Sequence, residues 1–301
     1  MTADTPRVSV IIPHLNTPAL LARCLASVQA QTLDTGRAEI IVVDNGSDAA
    51  PTDICAGAGA LLLHEPAPGP GLARNRGVAV ARAPVLAFID ADCRATPGWL
   101  QALVNAVEAM PANPVGGEIK IELATPPHMT GIEAYESVFG FRQRLYIEQK
   151  QFSVTANLGM AASIFAQVGP FGGIEIAEDL DWGRRAHALG FTTRYVPQML
   201  VWHPARNNFD ALARKWQRHI RHDWQAAGGQ ASARWWLKAL ALALSGPVEA
   251  LRLLTSDRLQ GAGNRWRGIG VLLRLRLFRA TEMWRQARTR HGSAPPVWNR
   301  T

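Results

Sequence analysis

The sequence predicts an α/β protein, with a mostly parallel sheet flanked by helices and a helical tail at the C-terminal end. Two observations carry this. Short β-branched runs, apolar on both faces, alternate with stretches whose apolar residues recur at helical spacing, the pattern of a parallel sheet covered on both sides. The charge also divides the chain. Residues 1–202 hold 14 basic and 19 acidic side chains, a net of −5, whereas residues 203–301 hold 18 basic and 5 acidic, a net of +13. Eight of the ten tryptophans lie at or beyond Trp202, so the tail is basic and Trp-rich. At 301 residues, 48% hydrophobic and 19% charged, the chain has enough apolar material for a sizeable core, which excludes disorder and low-complexity structure.

Taken in order, Val8 to Ile12 reads as a strand ended by Pro13. Thr17-Pro18 then offers an N-cap and an N1 proline, and Leu20, Leu21, Cys24, Leu25 and Val28 recur at helical spacing. Glu39 to Val43 is a second strand, followed by the turn residues Asp44-Asn45-Gly46-Ser47, and Ala60 to Leu63 is a third. Val85 to Ile89 forms another and ends on Asp90-Ala91-Asp92. Thr96-Pro97 is expected to open a helix carrying Leu100, Leu103, Val104 and Val107 on one side. Val115 to Leu123 alternates as a half-exposed strand does, and Gly131 to Lys150 is mostly helical. Thr155 to Phe165 and Arg194 to Trp202 are read as strand-rich pieces.

Several classes fall away. MTADTPRVSVIIPHLN is not expected to act as a signal peptide, because its apolar run is short and stops at Pro13. No stretch reaches the roughly 18 apolar residues of a spanning helix. Cys24, Cys55 and Cys93 form no CxxC pair, which argues for a reducing compartment over a disulfide scaffold. Gly69-Pro70-Gly71 is followed by Arg74 where a dinucleotide fingerprint needs its third glycine.

Ligands of open α/β sheets bind beyond the carboxyl ends of the strands, where Asp44 and Asp90 are placed. Asp90-Ala91-Asp92 offers two carboxylates separated by one small residue, hard oxygen donors suited to Mg²⁺ or Mn²⁺ bridging to substrate phosphates. Taken alone, the same triplet also suits a turn and a helix cap.

Together with VSVIIPHLN (8–16), EIIVVDNGSDA (39–49), GPGLARNRGVAVARAPVLAFIDADC (69–93), TANLGMAASIFAQVGPFG (155–172) and AEDLDWGRRAHALGF (177–191), the triplet resembles the family 2 nucleotide-sugar glycosyltransferases of the GT-A fold, which act with inversion. The resemblance covers about residues 7 to 205. It implies a Rossmann-like GT-A catalytic domain over 1–205; composition and spacing, apart from the resemblance, give a basic, Trp-rich helical region over 206–290 and a flexible tail over 291–301. The resemblance also implies that Pro13, Asn16, Asp44, Arg74, Asn75 and Asp90 bind the donor, with Asp44 accepting a hydrogen bond from the base. Asp92, with Asp90 and His203, would hold a divalent cation, Mn²⁺ or Mg²⁺, that offsets charge on the departing nucleoside diphosphate. Glu178 and Asp179 match the acidic pair before the acceptor site, with Asp179 as the base that takes the acceptor hydroxyl proton. Asp181 and Trp182 would line the acceptor pocket, and His14 is read as a loop residue. A processive synthase is disfavoured, because Gln230 to Arg234-Trp235 has one residue too many for QxxRW.

In the tail, apolar stripes flanked by Arg and Trp suit helices lying in a membrane interface, with anionic lipid as the partner. Packing of these stripes onto the catalytic body is the other reading, and no module for nucleic acid is recognisable. The expectation is an inverting, metal-dependent glycosyltransferase moving a sugar from a nucleotide-sugar donor to a hydroxyl of a glycan or lipid-linked acceptor in cell-surface polysaccharide or glycolipid synthesis. It would be peripheral on the cytoplasmic face of the membrane. The alternatives are a non-catalytic nucleotide- or glycan-binding member of the same fold and a basic membrane-surface adaptor.

Overall fold

The computed structural model describes residues 5–31 and 38–288, so the tail expected over 291–301 lies outside the described residues. The chain forms two compact units. The first includes described residues up to Lys120 and Arg142–His203; the second includes Ile121–Phe141 and the described residues from Pro204 onward.

The first unit opens with β1 (Val8–His14), α1 (Pro18–Gln29), β2 (Ala38–Asp44), α2 (Thr52–Gly57), β3 (Leu61–His64), α3 (Pro70–Val78) and β4 (Val85–Ile89). Strand β1 pairs in parallel with β2 and β4, and β2 pairs in parallel with β3. The core residues of β1 and β4 are buried on both faces, as their continuous apolar runs require. Then come β5 (Arg94–Ala95), α4 (Trp99–Ala109) and β6 (Val115–Glu122), and, after an excursion into the second unit, α6 (Gln143–Lys150), β7 (Asn157–Ala161), α7 (Ala162–Val168), α8 (Glu178–Ala188) and β8 (Arg194–Pro204). The eight strands lie in the order β3-β2-β1-β4-β7-β6-β8-β5. The second half departs from the parallel rule, since β7 runs antiparallel to β4 and β6, and β5 antiparallel to β8.

Two buried residues hold this half together. The Asn157 amide donates to the carbonyls of Glu118 (2.9 Å) and Met199 (2.7 Å), and its oxygen accepts from the Trp99 indole (2.9 Å). A Cβ on Gly117 would stand 2.0 Å from the Met199 carbonyl, so only glycine lets these strands approach. Beside them Phe88, Leu158, Met160, Phe165, Phe171 and Trp182 form one apolar cluster.

Three local expectations change. Thr17 precedes α1 without a side-chain cap bond. The fourth helix begins at Trp99 behind Gly98 (φ 86°), because the Thr96 hydroxyl and amide both donate to the Leu200 carbonyl and hold that residue against β8. The strand read over Thr155 to Phe165 ends at Ala161, after which Ile164, Phe165 and Val168 turn into the core from a helix.

The second unit is helical: α5 (Gly131–Phe139), α9 (Phe209–Ala226), α10 (Ala233–Leu244), α11 (Gly246–Thr255) and α12 (Ala262–Arg288). Tyr135, Leu212, Leu253, Leu259, Leu272 and Leu275 form its main core. The sequence reading left 121–141 with the first 205 residues, whereas α5 packs closely on α12. A Cβ on Gly131 would meet Val271 at 2.8 Å, and the buried Glu136 carboxylate pairs with Arg206. Among the described residues, no helix is long and apolar enough to cross a membrane.

Candidate active site

Parallel β2, β1 and β4 point their carboxyl ends the same way, so Asp44 at the end of β2 and Asp90 just after β4 share one sheet edge. At about 4.8 Å per strand, two strand steps separate them by roughly 10 Å.

Asp44 is buried, and its carboxylate is already engaged. It accepts from the Ser47 hydroxyl and backbone amide, and the His14 imidazole lies 3.1 Å away. Burial opposes its charge, but these bonds outweigh that and hold its pKa below the usual range. His14 is therefore a buried strand-end residue that orients Asp44, and the loop reading is corrected. Asn16 adopts φ 50°; its amide donates to the Ser47 hydroxyl and its side chain accepts from the Asp48 amide (both 2.9 Å). Pro13, partly exposed, sits opposite Val43 in the register of β1 and β2. Asn45, missed in the sequence reading, donates to the carbonyls of Glu65 and Ala67 and accepts from the Gly69 amide (2.7 Å), which fixes the start of α3.

From α3 the buried Arg74 guanidinium reaches two carboxylates, Asp90 at 2.6 Å and Glu178 at 3.3 Å. Burial works against its charge, yet Asp90 and Glu178 more than compensate, and its pKa is raised. Arg74 thus ties the end of β4 to the start of α8. Asn75 makes a second tie. Its amide donates to the Phe171 carbonyl and accepts from the Phe171 amide, both at 2.9 Å. Asn75, expected at the donor, here engages the Phe171 backbone with one amide N–H and its oxygen, so it staples α3 to that loop. Gly71 serves the same junction, because a Cβ there would stand 2.2 Å from the Gly172 carbonyl.

Asp179, next to Glu178, accepts from the Leu180 amide (2.8 Å). Burial first, then the negative charge of Glu178, pushes its carboxyl up to about 7 against the opposing pull of the Leu180 amide and Arg74. Such a group can take up a proton near neutrality. Asp181 lies half-exposed in a pair with Arg185 (2.8 Å), whose guanidinium also reaches the carbonyls of Val168 and Pro170. Trp182 does not line an acceptor pocket. It is 2% exposed, stacks on Phe165 and donates to the Gly169 carbonyl, so helical periodicity, with its neighbour Ala186, marks it as core.

On the other side of Asp90, the Asp92 carboxylate stands 3.3 Å from the buried His203 imidazole of β8. Asp92, Cys93 and His203 each bring one ligand atom within 4.8 Å of the others. The Oδ1 atom of Asp92 is buried without a hydrogen-bond partner. A carboxylate oxygen left orphaned beside an imidazole fits a divalent cation of the Mn²⁺ type. Burial and the carboxylates of Asp92 and Asp90 raise the Cys93 thiol well above its ordinary value, which leaves Asp92 and His203 as the better donors.

Comparison with known proteins decides the family. Residues 9–168 match Glycosyl transferase family 2. The chain belongs to that family. It is 30% identical over 213 residues to Glycosyltransferase AglE of Haloferax volcanii, covering 68% of this chain and 69% of that protein. It is 29% identical over 219 residues to the Pre-mycofactocin glycosyltransferase of Mycobacterium tuberculosis, covering 69% of this chain but only 45% of that protein. In fold it is similar to Mannosyltransferase PcManGT from Pyrobaculum calidifontis in complex with GDP-Man and Mn²⁺, with a TM-score of 0.60 at 17% identity over 95% of this chain and 87% of that one. The protein is therefore a family 2 glycosyltransferase with a GT-A-like sheet. Its family match ends at residue 168, before Glu178, Asp179 and His203, whose placement comes from the geometry described above.

Proposed function

We propose that this family 2 enzyme is a metal-dependent, inverting hexosyltransferase that uses the sheet edge carrying Asp44, Asp90 and Asp92 to hold a nucleotide-sugar donor. One observation supports the reading: Arg74 bridges Asp90 to Glu178 and so ties the end of β4, which leads into Asp92, to the helix start that carries Asp179. In this reading a proton acceptor near neutrality and the metal donors Asp92 and His203 serve one donor-binding cleft.

In this reading Asp44, held rigid by His14 and Ser47, receives the base of the nucleotide. Pro13 and Asn16 border the same strand ends, and Arg74 acts by positioning Asp90 and Glu178. Asp92 and His203, with Asp90 adjacent, would hold Mn²⁺ or Mg²⁺, which supplies positive charge against the diphosphate as it leaves. Asp179 takes the proton of the acceptor hydroxyl while that oxygen attacks the anomeric carbon from the face opposite the leaving group. Burial, reinforced by the like charge of Glu178, keeps the Asp179 carboxyl basic. Asp181 stands at the outer edge of this helix start, toward a glycan or lipid-linked acceptor of cell-surface polysaccharide or glycolipid synthesis.

The three free cysteines, all buried, suit a reducing compartment, and the basic helical unit suits peripheral attachment to the cytoplasmic face of an anionic membrane. A thermal-shift panel of nucleoside diphosphates and nucleotide sugars with Mn²⁺ tests the donor site, since a ligand that binds only the folded state raises its melting point. Asp179→Asn is expected to abolish transfer and spare donor binding. Equal loss of both contradicts the role of base.

A further inference from the structure

Large apolar side chains left open to solvent are concentrated in one part of the molecule. Of thirteen such residues among those described, ten lie on α10, α11 and α12. They fall in stripes. On α10 they are Leu237, Leu240 and Leu244; on α11, Val248, Leu251 and Leu254; on α12, Trp266, Leu273, Leu277 and Trp284. Steps of three, four and seven place each set along one helix face. The exposures are large: 69% for Leu244, 68% for Val248 and 66% for Trp266. Water-facing stripes of this size mark an interaction surface.

Between α10 and α12 the stripes border a groove of about 610 Å³, walled by Ala239, Leu240, Ala243, Leu277, Ala280 and Trp284. Its volume is that of an ordinary small-ligand cleft, roughly 300–1,000 Å³. Arg285 and Arg288 also line it, and the Arg288 guanidinium lies 5.5 Å from the Trp284 ring. Trp236 meets Trp284 edge to face at 5.2 Å and firms one wall. An apolar slot with two guanidinium groups in its lining, Arg288 and an Arg285 that also pairs with Glu282 at 3.0 Å, suits an amphiphile with a negative head. Residues 233–288 hold 11 basic and 3 acidic side chains, a net of +8, so the surrounding field favours the same partner.

We propose that this groove seats an acyl chain of an anionic phospholipid and docks the α10–α12 face onto a negatively charged bilayer. The inference rests on the membrane-surface reading above and names the face and the lipid contact that carry it. The leucine and valine stripes enter the boundary between headgroups and acyl chains, Trp266 and Trp284 lie at headgroup depth, and Arg285 and Arg288 meet lipid phosphate. The groove holds one chain out of the bilayer plane and thereby fixes the orientation of the unit.

Cosedimentation of the full chain with vesicles tests this, using phosphatidylcholine mixed with phosphatidylglycerol against phosphatidylcholine alone. Binding to the mixed vesicles at physiological salt is expected, with little to the neutral ones. The exposed double variant Leu240→Ser/Leu277→Ser and the groove-filling Ala243→Trp are each expected to lower partitioning about tenfold or more at an unchanged melting temperature. Absence of binding by the wild type overturns the proposal. Binding that salt abolishes and the variants leave untouched overturns it too, because the attachment is then electrostatic only. Dimerisation in lipid-free buffer that these variants disrupt shows that the groove seats a second copy, and has the same effect. Donor binding measured on the same samples separates the two readings, since a chain that binds vesicles but no nucleotide refutes the enzymatic reading alone.

Discussion

Replacing Asp179 by Asn should stabilise the free protein, with a gain that is largest in mild alkali and shrinks as the pH falls toward 4. The carboxyl titrates near 7 in the folded chain against an ordinary 3.8. Between those values the folded state holds a proton that the unfolded chain has released, so stability is full below about pH 4 and is lost as pH rises to about 7. At 1.36 kcal/mol per pH unit the ceiling at pH 8 is about 4 kcal/mol, and partial solvent access trims it to about 2–4 kcal/mol. An amide carries no charge at either pH, and its oxygen can still accept from the Leu180 amide. Melting followed by circular dichroism at pH 5 and pH 8 reads the effect. The variant should exceed the wild type by at most about 1.6 kcal/mol at pH 5 and by several degrees more at pH 8, the gap widening by up to about 2.7 kcal/mol between the two, since about 1 kcal/mol moves a domain of this size by roughly 2–4 °C. An equal difference at the two pH values, or a variant less stable at pH 8, would show that Asp179 is ionised without strain.

The same group predicts the pH profile of transfer. A base must be deprotonated to act, so kcat/KM should climb about tenfold per pH unit below neutrality and level off above about 7; a profile flat from pH 5 to 8 contradicts this. Asn75→Ala removes both bonds to the Phe171 backbone and should cost on the order of 2 kcal/mol in urea denaturation, whereas a neutral result means the junction is held elsewhere. Asn75→Asp keeps the bond from the Phe171 amide but sets a carboxylate against the carbonyl, and should be no more stable than the alanine variant.

The order of elements was legible because apolar runs and helical spacing are local signals. Val85–Ile89 matches its expected range, and β1, β2 and β3 differ by a residue or two. The antiparallel half was not legible, since the placement of β7 between β4 and β6 depends on Asn157 and on glycines at 116 and 117, contacts that no local pattern encodes. The site divides in the same way. Carboxylates at strand ends could be read from the chain, and Asp90, Asp92, Glu178 and Asp179 lie at the ends of β4 and the start of α8. Which polar residues are spent on backbone could not be read. Asn75 looks the same in sequence whether it faces a ligand or staples a loop, and His14 shows its role only once β1 lies beside β2. Trp182 could have been placed in the core from its spacing to Ala186, both buried on the inner face of α8.

The central claim is that Asp92 and His203 hold the cation against which the donor diphosphate is bound. Crystals grown with Mn²⁺ and a nucleoside diphosphate, with diffraction recorded at the manganese absorption edge, test it most directly. The account predicts an anomalous peak within bonding distance of Asp92 Oδ1 and the His203 imidazole, lost in Asp92→Ala. A bound nucleotide whose metal peak lies away from both residues contradicts it.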